Sequence, residues 1–378
     1  MKIIKNLISV DKNIILFHFT KLGDLIWMTS VFPLIKSYDS DIKITLVTAI
    51  EYYDIIKDNN YIYRFILFRK KFLDSRYTLV RYVYKIFFAL KNFFIFTKYK
   101  SAIFMDVELS MTLIAKYIFR IKKIYGANLL PYGYNLKNKS SSFYSNVINV
   151  EKNNDYLHYM MRYQNIIRNI FPICNLSKPY LSKNFYPSLN VKDLFKIKKL
   201  RIAICPSGSM NYRNLRKEFL KNLILKINSK YKDVSFLFIG NENKEYKKVE
   251  EIKKELNDSD IINLCTKTTL QDLKYISKNV NLIVSIDTSI VHVAAVYNTP
   301  TIAIYSSSVP EHSLGVNHKL IALYKKQKCS PCNKQQFFNR IKCKNPICLN
   351  RISIDEIYMN VDNILNKDYI YKKEDNII

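Results

Sequence analysis

Residues 282–295 read Leu282-Ile283-Val284-Ser285-Ile286-Asp287-Thr288-Ser289-Ile290-Val291-His292-Val293-Ala294-Ala295. The first five residues are short, mostly branched and apolar, which suits a buried strand. An Ala-rich apolar run follows the carboxylate and two hydroxyls, and it suits a helix. A strand that turns through polar residues into a helix is the repeating unit of a parallel sheet. The free N–H groups on the first turn of such a helix attract anions, so Asp287, Thr288, Ser289 and His292 form a candidate ligand site. An isolated histidine at this place is as readily a satisfied core residue. The strand, Asp-Thr-Ser and helix context favours the ligand reading.

The same alternation extends in both directions. Downstream of residue 200, strands are expected at 201–205, 234–239, 261–264, 282–286 and 301–305, with helices at 215–227, 245–256, 270–276 and 290–296 between them. Upstream, strands are expected at 13–19, 42–47, 63–68 and 101–105, with helices at 25–35, 52–56, 78–96 and 109–119. Residues 135–155 are rich in Asn, Lys and Ser and read as a mobile loop. Around 178–199 periodicity is lost and Pro179 and Pro187 appear, which marks a domain junction. The expectation is an α/β protein with two Rossmann-like domains, 1–178 and 199–350, and a C-terminal helix in 351–378. A chain of 378 residues is long enough for two such cores.

Composition narrows the function. Hydrophobic residues at 48% and charged residues at 24% exclude a disordered or fibrous chain. Sixty Lys and Arg against 31 Asp and Glu give a formal charge of +29, which favours phosphate-bearing partners. The basic residues are spread over both domains and no RNP, KH, helix-turn-helix or zinc-finger pattern occurs, which argues against nucleic acid. No run of about 18 apolar residues is present, and residues 1–13 lack a secretory apolar core, so a cytoplasmic protein is expected. Residues 61–100 hold ten Lys or Arg, one acidic residue and fourteen aromatics. Two readings stay open there, a surface for anionic lipid headgroups and a solvated helix with an aromatic core face. Phe87, Phe88, Phe93 and Phe94 cannot all face one core from a regular helix. Cys174, Cys205 and Cys265 lie singly in apolar surroundings, as small buried thiols do. Cys329, Cys332, Cys343 and Cys348 cluster at a spacing compatible with either a plain thiol group or a tetrahedral zinc site.

Three further turns sit where parallel sheets bind ligands, beyond the carboxyl ends of strands. In Lys21-Leu22-Gly23-Asp24 the aspartate is either a helix cap or a general base facing an interdomain cleft. Pro206-Ser207-Gly208-Ser209-Met210-Asn211-Tyr212-Arg213 combines a glycine, small hydroxyls and a cation, a composition that can cradle phosphate or form an ordinary polar turn. Gly240-Asn241-Glu242 places a carboxylate where a ribose could be read.

With these residues the chain resembles, over nearly its whole length, the bacterial heptosyltransferases of glycosyltransferase family nine. The Leu22-Gly23-Asp24 turn with Thr29 and Pro33 resembles the family's opening motif, and Asp287-Thr288-Ser289 with His292, Ala294, Ala295 and Pro300 resembles its Asp-Thr-Gly-x-x-His signature. The resemblance implies a GT-B fold, two Rossmann-like domains facing a cleft. The N-terminal domain would receive the acceptor, the C-terminal domain would hold ADP-heptose, and a C-terminal helix would be able to pack back on the N-terminal domain. It implies inverting transfer to the lipopolysaccharide inner core with Asp24 as base and no cofactor or metal. His18, Thr20, Lys21 and Gly23 are then substrate-binding residues of the first domain. Ser209, Arg213, Glu242, Thr268, Asp287, Thr288, Ser289 and His292 would contact nucleotide and diphosphate. The implied partners are the nucleotide sugar, the lipid A and inner-core acceptor, and the anionic inner face of the inner membrane. The chain departs from the pattern at His18, where the family usually carries Lys or Arg, at Ser289 for glycine, and at Leu215 for Trp. The cysteine cluster belongs to the family pattern in many members.

Overall fold

The computed structural model describes residues 11–106, 108–127, 144–148, 158–173, 175–196, 200–208, 210–312, 319–332, 343 and 345–374. The chain divides into two compact units, Met1–Ser182 and Lys183–Ile378, so the boundary falls inside the aperiodic stretch and four residues beyond the expected end of the first domain.

The first unit is built on a six-stranded sheet in the order β3-β2-β1-β4-β5-β6. Its strands are β1 Asn13–Phe17, β2 Lys43–Ala49, β3 Ile62–Phe68, β4 Ser101–Phe104, β5 Lys123–Ala127 and β6 Asn146–Ile148, and every pairing is parallel. The central strand β1 is apolar on both faces because helices cover both. Phe17 stacks on Phe104 of β4 with ring centroids 4.5 Å apart, which ties the two innermost strands together. The helix expected at 25–35 is two, α1 Leu22–Met28 and α2 Val31–Tyr38. At the break the Thr29 and Ser30 hydroxyls donate back to the carbonyls of Ile26 and Trp27, at 2.6 and 2.8 Å, competing with the helical ladder. The helix expected at 78–96 likewise stops, as α3 Thr78–Lys91, at Asn92, whose amide donates to the Phe88 carbonyl. Helix α4 Tyr159–Ile170 packs against α1 and α2.

The loop expected at 135–155 is corrected in part. Residues 135–143 and 149–155 lie outside the described residues, but 144–148 contains β6. A three-residue strand has no periodicity to read. It exists because Tyr125, Gly126 and Ala127 of β5 supply its partners. Gly126 is the point of closest approach, since a Cβ there would overlap the ring of Tyr144.

The second unit repeats the plan with the order β12-β11-β10-β7-β8-β9. The strands are β7 Leu200–Cys205, β8 Val234–Phe238, β9 Ile261–Asn263, β10 Leu282–Ile286, β11 Thr301–Tyr305 and β12 Leu320–Tyr324, again all parallel. The helices are α5 Lys217–Lys230, α6 Asn243–Leu256, α7 Leu270–Asn279, α8 Ser289–Tyr297 and α9 Ile354–Glu374. Through Ile357, Val361 and Leu365 the C-terminal helix α9 packs into the core of this unit. On its outer side Lys226 pairs with Asp355 and Lys230 with Asp362. These contacts are with α5 of the same unit. Among the described residues no helix is long and apolar enough to cross a membrane.

Gly126→Ala is expected to destabilise the protein by about 1–3 kcal/mol, the cost of forcing extra volume into a filled site. Denaturant unfolding measures it, and in a double-mutant cycle Gly126→Ala should cost less in the Tyr144→Ala background than in the parent chain.

Candidate active site

In each sheet the strand order reverses once, between β1 and β4 in the first and between β7 and β10 in the second. Loops leaving two neighbouring strands in opposite directions open a crevice at that point, where parallel sheets bind ligands.

At the second switch point the loop after β7 meets the loop after β10. Gly208 lies so close to the β10 end that a Cβ would stand 3.2 Å from Ile286 Cδ1 and 3.3 Å from Thr288 Cγ2. Asn214 holds this turn by accepting the Gly208 N–H at 3.0 Å. Arg213 is buried with Nη1 3.9 Å from Asp287 Oδ2, and the Ser308 hydroxyl donates to the same carboxylate oxygen. The cation expected to meet phosphate is thus held at the crevice by the carboxylate beside it. Thr288 turns its hydroxyl inward to Ser285 Oγ at 3.1 Å and Cys205 Sγ at 3.7 Å, so it offers the crevice its backbone. Ser289 begins α8 and His292 lies one turn along it, both half-buried. Glu242 follows β8 at the same sheet edge, where its carboxylate pairs with Lys244 at 2.7 Å. The turn after β9 reaches Gly240 through the Thr266 N–H, at 2.8 Å, and places Thr268 just before the Thr269 cap of α7. Among the expected residues of this domain, Arg213, Asp287, Thr288, Ser289 and His292 are brought together. Glu242 and Thr268 stand on the flanking strands, and Ser209 lies outside the described residues.

At the first switch point the organiser is Asp106, directly after β4, a residue not singled out from the sequence. Its Oδ2 accepts the Phe19 N–H at 3.1 Å and the Thr20 hydroxyl at 3.2 Å, and its Oδ1 accepts the Tyr163 hydroxyl at 3.1 Å. Burial pushes this carboxyl above the usual range, opposed by Arg162 and the three donors. Thr20 spends its proton on Asp106 and therefore accepts from His18 Nε2, at 3.1 Å. The other ring nitrogen, Nδ1, is left to accept from Thr48 Oγ1 at 3.2 Å. His18 is fully buried. Burial pushes it down to about 3, against Asp24, which favours the cation, and with Lys70, which opposes it. His18 therefore supports Thr20 and presents no charge to a ligand. Asp24 sits on the first turn of α1, where one carboxylate oxygen accepts the Lys21 N–H at 3.2 Å. It caps the helix and remains half-exposed, while Lys21 is exposed and Gly23 buried beneath it.

Two residue sets escaped the sequence reading. Asp106 ends a strand as Asp287 does, and that shared position was the available signal. Ser306, Ser307 and Ser308 follow β11 and are buried at the second crevice. Elsewhere, a shallow depression lined by Lys12, Lys43 and Tyr63 lies at the opposite, N-terminal ends of β1 to β3. Cys332 and Cys348 are buried, Cys343 half-buried and Cys329 exposed. Burial, then the neighbouring Cys329, push the Cys332 thiol up to about 11. Among the described residues no group of three or more His, Cys, Asp or Glu is arranged to hold a metal ion.

The family model described as glycosyltransferase family 9 (heptosyltransferase) matches residues 112–342. Among solved structures, the chain is similar to the Escherichia coli ADP-heptose LPS heptosyltransferase II, with TM-score 0.71 at 15% identity over 94% of this chain and 99% of that one. It is similar to a glycosyltransferase family 9 protein of Veillonella parvula, with TM-score 0.74 at 15% identity over 95% and 98%. A third is the E. coli heptosyltransferase WaaC with ADP, TM-score 0.62 at 13% identity over 87% and 99%. No curated protein matches the chain. These likenesses bear out the GT-B class of fold.

The buried imidazole makes stability depend on pH. An unfolded histidine protonates near 6.5, whereas native His18 refuses the proton until about 3. As pH falls through this window the unfolded chain alone gains the proton, so this group costs up to about 1.4 kcal/mol of stability per pH unit. Unfolding free energies measured across the window should fall less steeply in His18→Gln than in the parent chain.

Proposed function

The chain belongs to glycosyltransferase family 9, and on that membership we propose that it transfers a heptose from ADP-heptose to the inner core of lipopolysaccharide with inversion at the anomeric carbon. The observation that carries this reading is the crevice between β7 and β10, where Arg213, Asp287 and the first turn of α8 converge. The free N–H groups of that turn point at a bound diphosphate, and His292 lies within the same turn. As the glycosidic bond breaks, negative charge grows on the departing diphosphate. Donors already fixed in place stabilise it without reorganising.

On the other unit Asp24 acts as general base. Its half-exposed carboxylate accepts the proton of the acceptor hydroxyl as that oxygen attacks the anomeric carbon from the face opposite the leaving group. The Asp106 network below it holds the β1 loop in place. The acceptor is a phosphate-bearing lipid A with acidic inner-core sugars at the inner face of the inner membrane, which suits a chain of charge +29. A second reading, another nucleotide sugar as donor, is favoured by His18, a neutral buried residue where the family usually carries a cation.

Calorimetric titration with ADP-, UDP- and GDP-sugars separates the two readings, since the first expects ADP compounds to bind and the others not. Asp24→Asn should keep ADP affinity and lose turnover by roughly two to four orders of magnitude. His292→Ala should weaken ADP binding by about tenfold or more, the worth of one hydrogen bond to a charged group.

A further inference from the structure

Helix α3 carries apolar residues on two faces, one in the core and one in solvent. Its inward positions include Tyr84, Lys85, Phe88 and Ala89, with Lys85 donating at 2.7 Å to both Glu108 and Ser110. Its outward stripe is Leu79, Val83, Ile86 and Leu90, spaced i, i+4, i+7, i+11 and therefore on one face. Leu79 is 75% exposed, Leu90 65%, and Phe94 just beyond the helix 81%. A soluble monomer rarely leaves so continuous an apolar face in water unless something docks there.

Charge identifies the occupant. Arg69, Lys71, Arg76 and Lys91, which flank the helix in sequence, are exposed. The single acidic residue in 61–100, Asp74, is paired with Lys70. A second copy of the chain placed symmetrically on this face would bring the same cations together. A bilayer with anionic headgroups satisfies both features, since apolar side chains enter the acyl boundary while Lys and Arg stay at headgroup level. We propose that the outward face of α3 lies flat on an anionic lipid bilayer and anchors the N-terminal unit there. The helix is about 21 Å long, and Tyr77 and Tyr82, both exposed, suit the interfacial level. Lys70 and Lys85 take no part, because their own carboxylates hold them. The proposal deepens the reading of a membrane-borne acceptor and is independent of which sugar is transferred.

The test is co-sedimentation of the full chain, without nucleotide, on phosphatidylcholine vesicles with and without phosphatidylglycerol. Binding should require phosphatidylglycerol and weaken as salt rises. Arg76→Gln, Lys71→Gln and Lys91→Gln together should lower affinity by about 100-fold, from the attraction of each cation to a charged leaflet. Leu79→Gln, Ile86→Gln and Leu90→Gln together should abolish binding although every cation remains. ADP titration of the same variants should be unchanged, so failure of nucleotide binding and failure of docking are read separately. The proposal falls if the parent chain ignores anionic vesicles, or if the apolar triple variant binds as the parent does, since charge alone would then explain adhesion. It also falls if the parent forms a lipid-independent dimer that the apolar triple variant abolishes.

Discussion

A carboxylate at the reversal point of each sheet is the interaction on which the rest depends. Parallel strands send their loops out at one edge, and only where the order reverses do neighbouring loops part and leave a crevice. An open crevice exposes backbone donors that need acceptors. Asp106 supplies them in the first unit, gathering the Phe19 N–H, Thr20 and Tyr163. Asp287 holds Ser308 and Arg213 in the second. Both are strand-end aspartates that fix facing loops, and their shared position comes from the shared plan of the two sheets.

The two crevices differ in what they hold ready. In the first, the buried chain from Thr48 through His18 and Thr20 to Asp106 is neutral at its imidazole, because burial outweighs the pull of Asp24. The loop bearing Asp24 is therefore stiffened from beneath without a charge on the imidazole. In the second, a guanidinium, a helix start and a glycine turn concentrate positive potential at the sheet edge. The proposed function assigns a base to the first unit and an anion site to the second, the division of labour that transfer from a nucleotide sugar requires.

The outer face of α3 follows another logic. Lys85 is drawn inward by Glu108, at 2.7 Å, and the apolar stripe goes outward as a result. A helical wheel of the sequence alone would put the apolar stripe in the core, whereas the half-buried Lys85–Glu108 pair lies on the inward side and the stripe lies outward. The aromatic side of the same helix does enter the core, through Tyr84 and Phe88.

Much of the architecture was legible because buried parallel strands are continuous apolar runs. Leu282–Ile286 and Thr301–Tyr305 run as expected, and so does the passage from strand through Asp287-Thr288 into the helix that starts at Ser289. The breaks at Thr29 and Asn92 were not, because side chains that bond back to helical carbonyls leave the apolar period intact. Nor was β6, whose three residues become a strand only against β5. The sequence by itself determined the alternation of the longer apolar strands with helices, the excess of positive charge and the turns that carry polar residues, since all three follow from local pattern. Only the tertiary structure decided that Asp106 lies beneath the Asp24 loop, that Arg213 faces Asp287, and which side of α3 meets solvent. Each of those depends on residues far apart in the chain being brought to one place by the strand order.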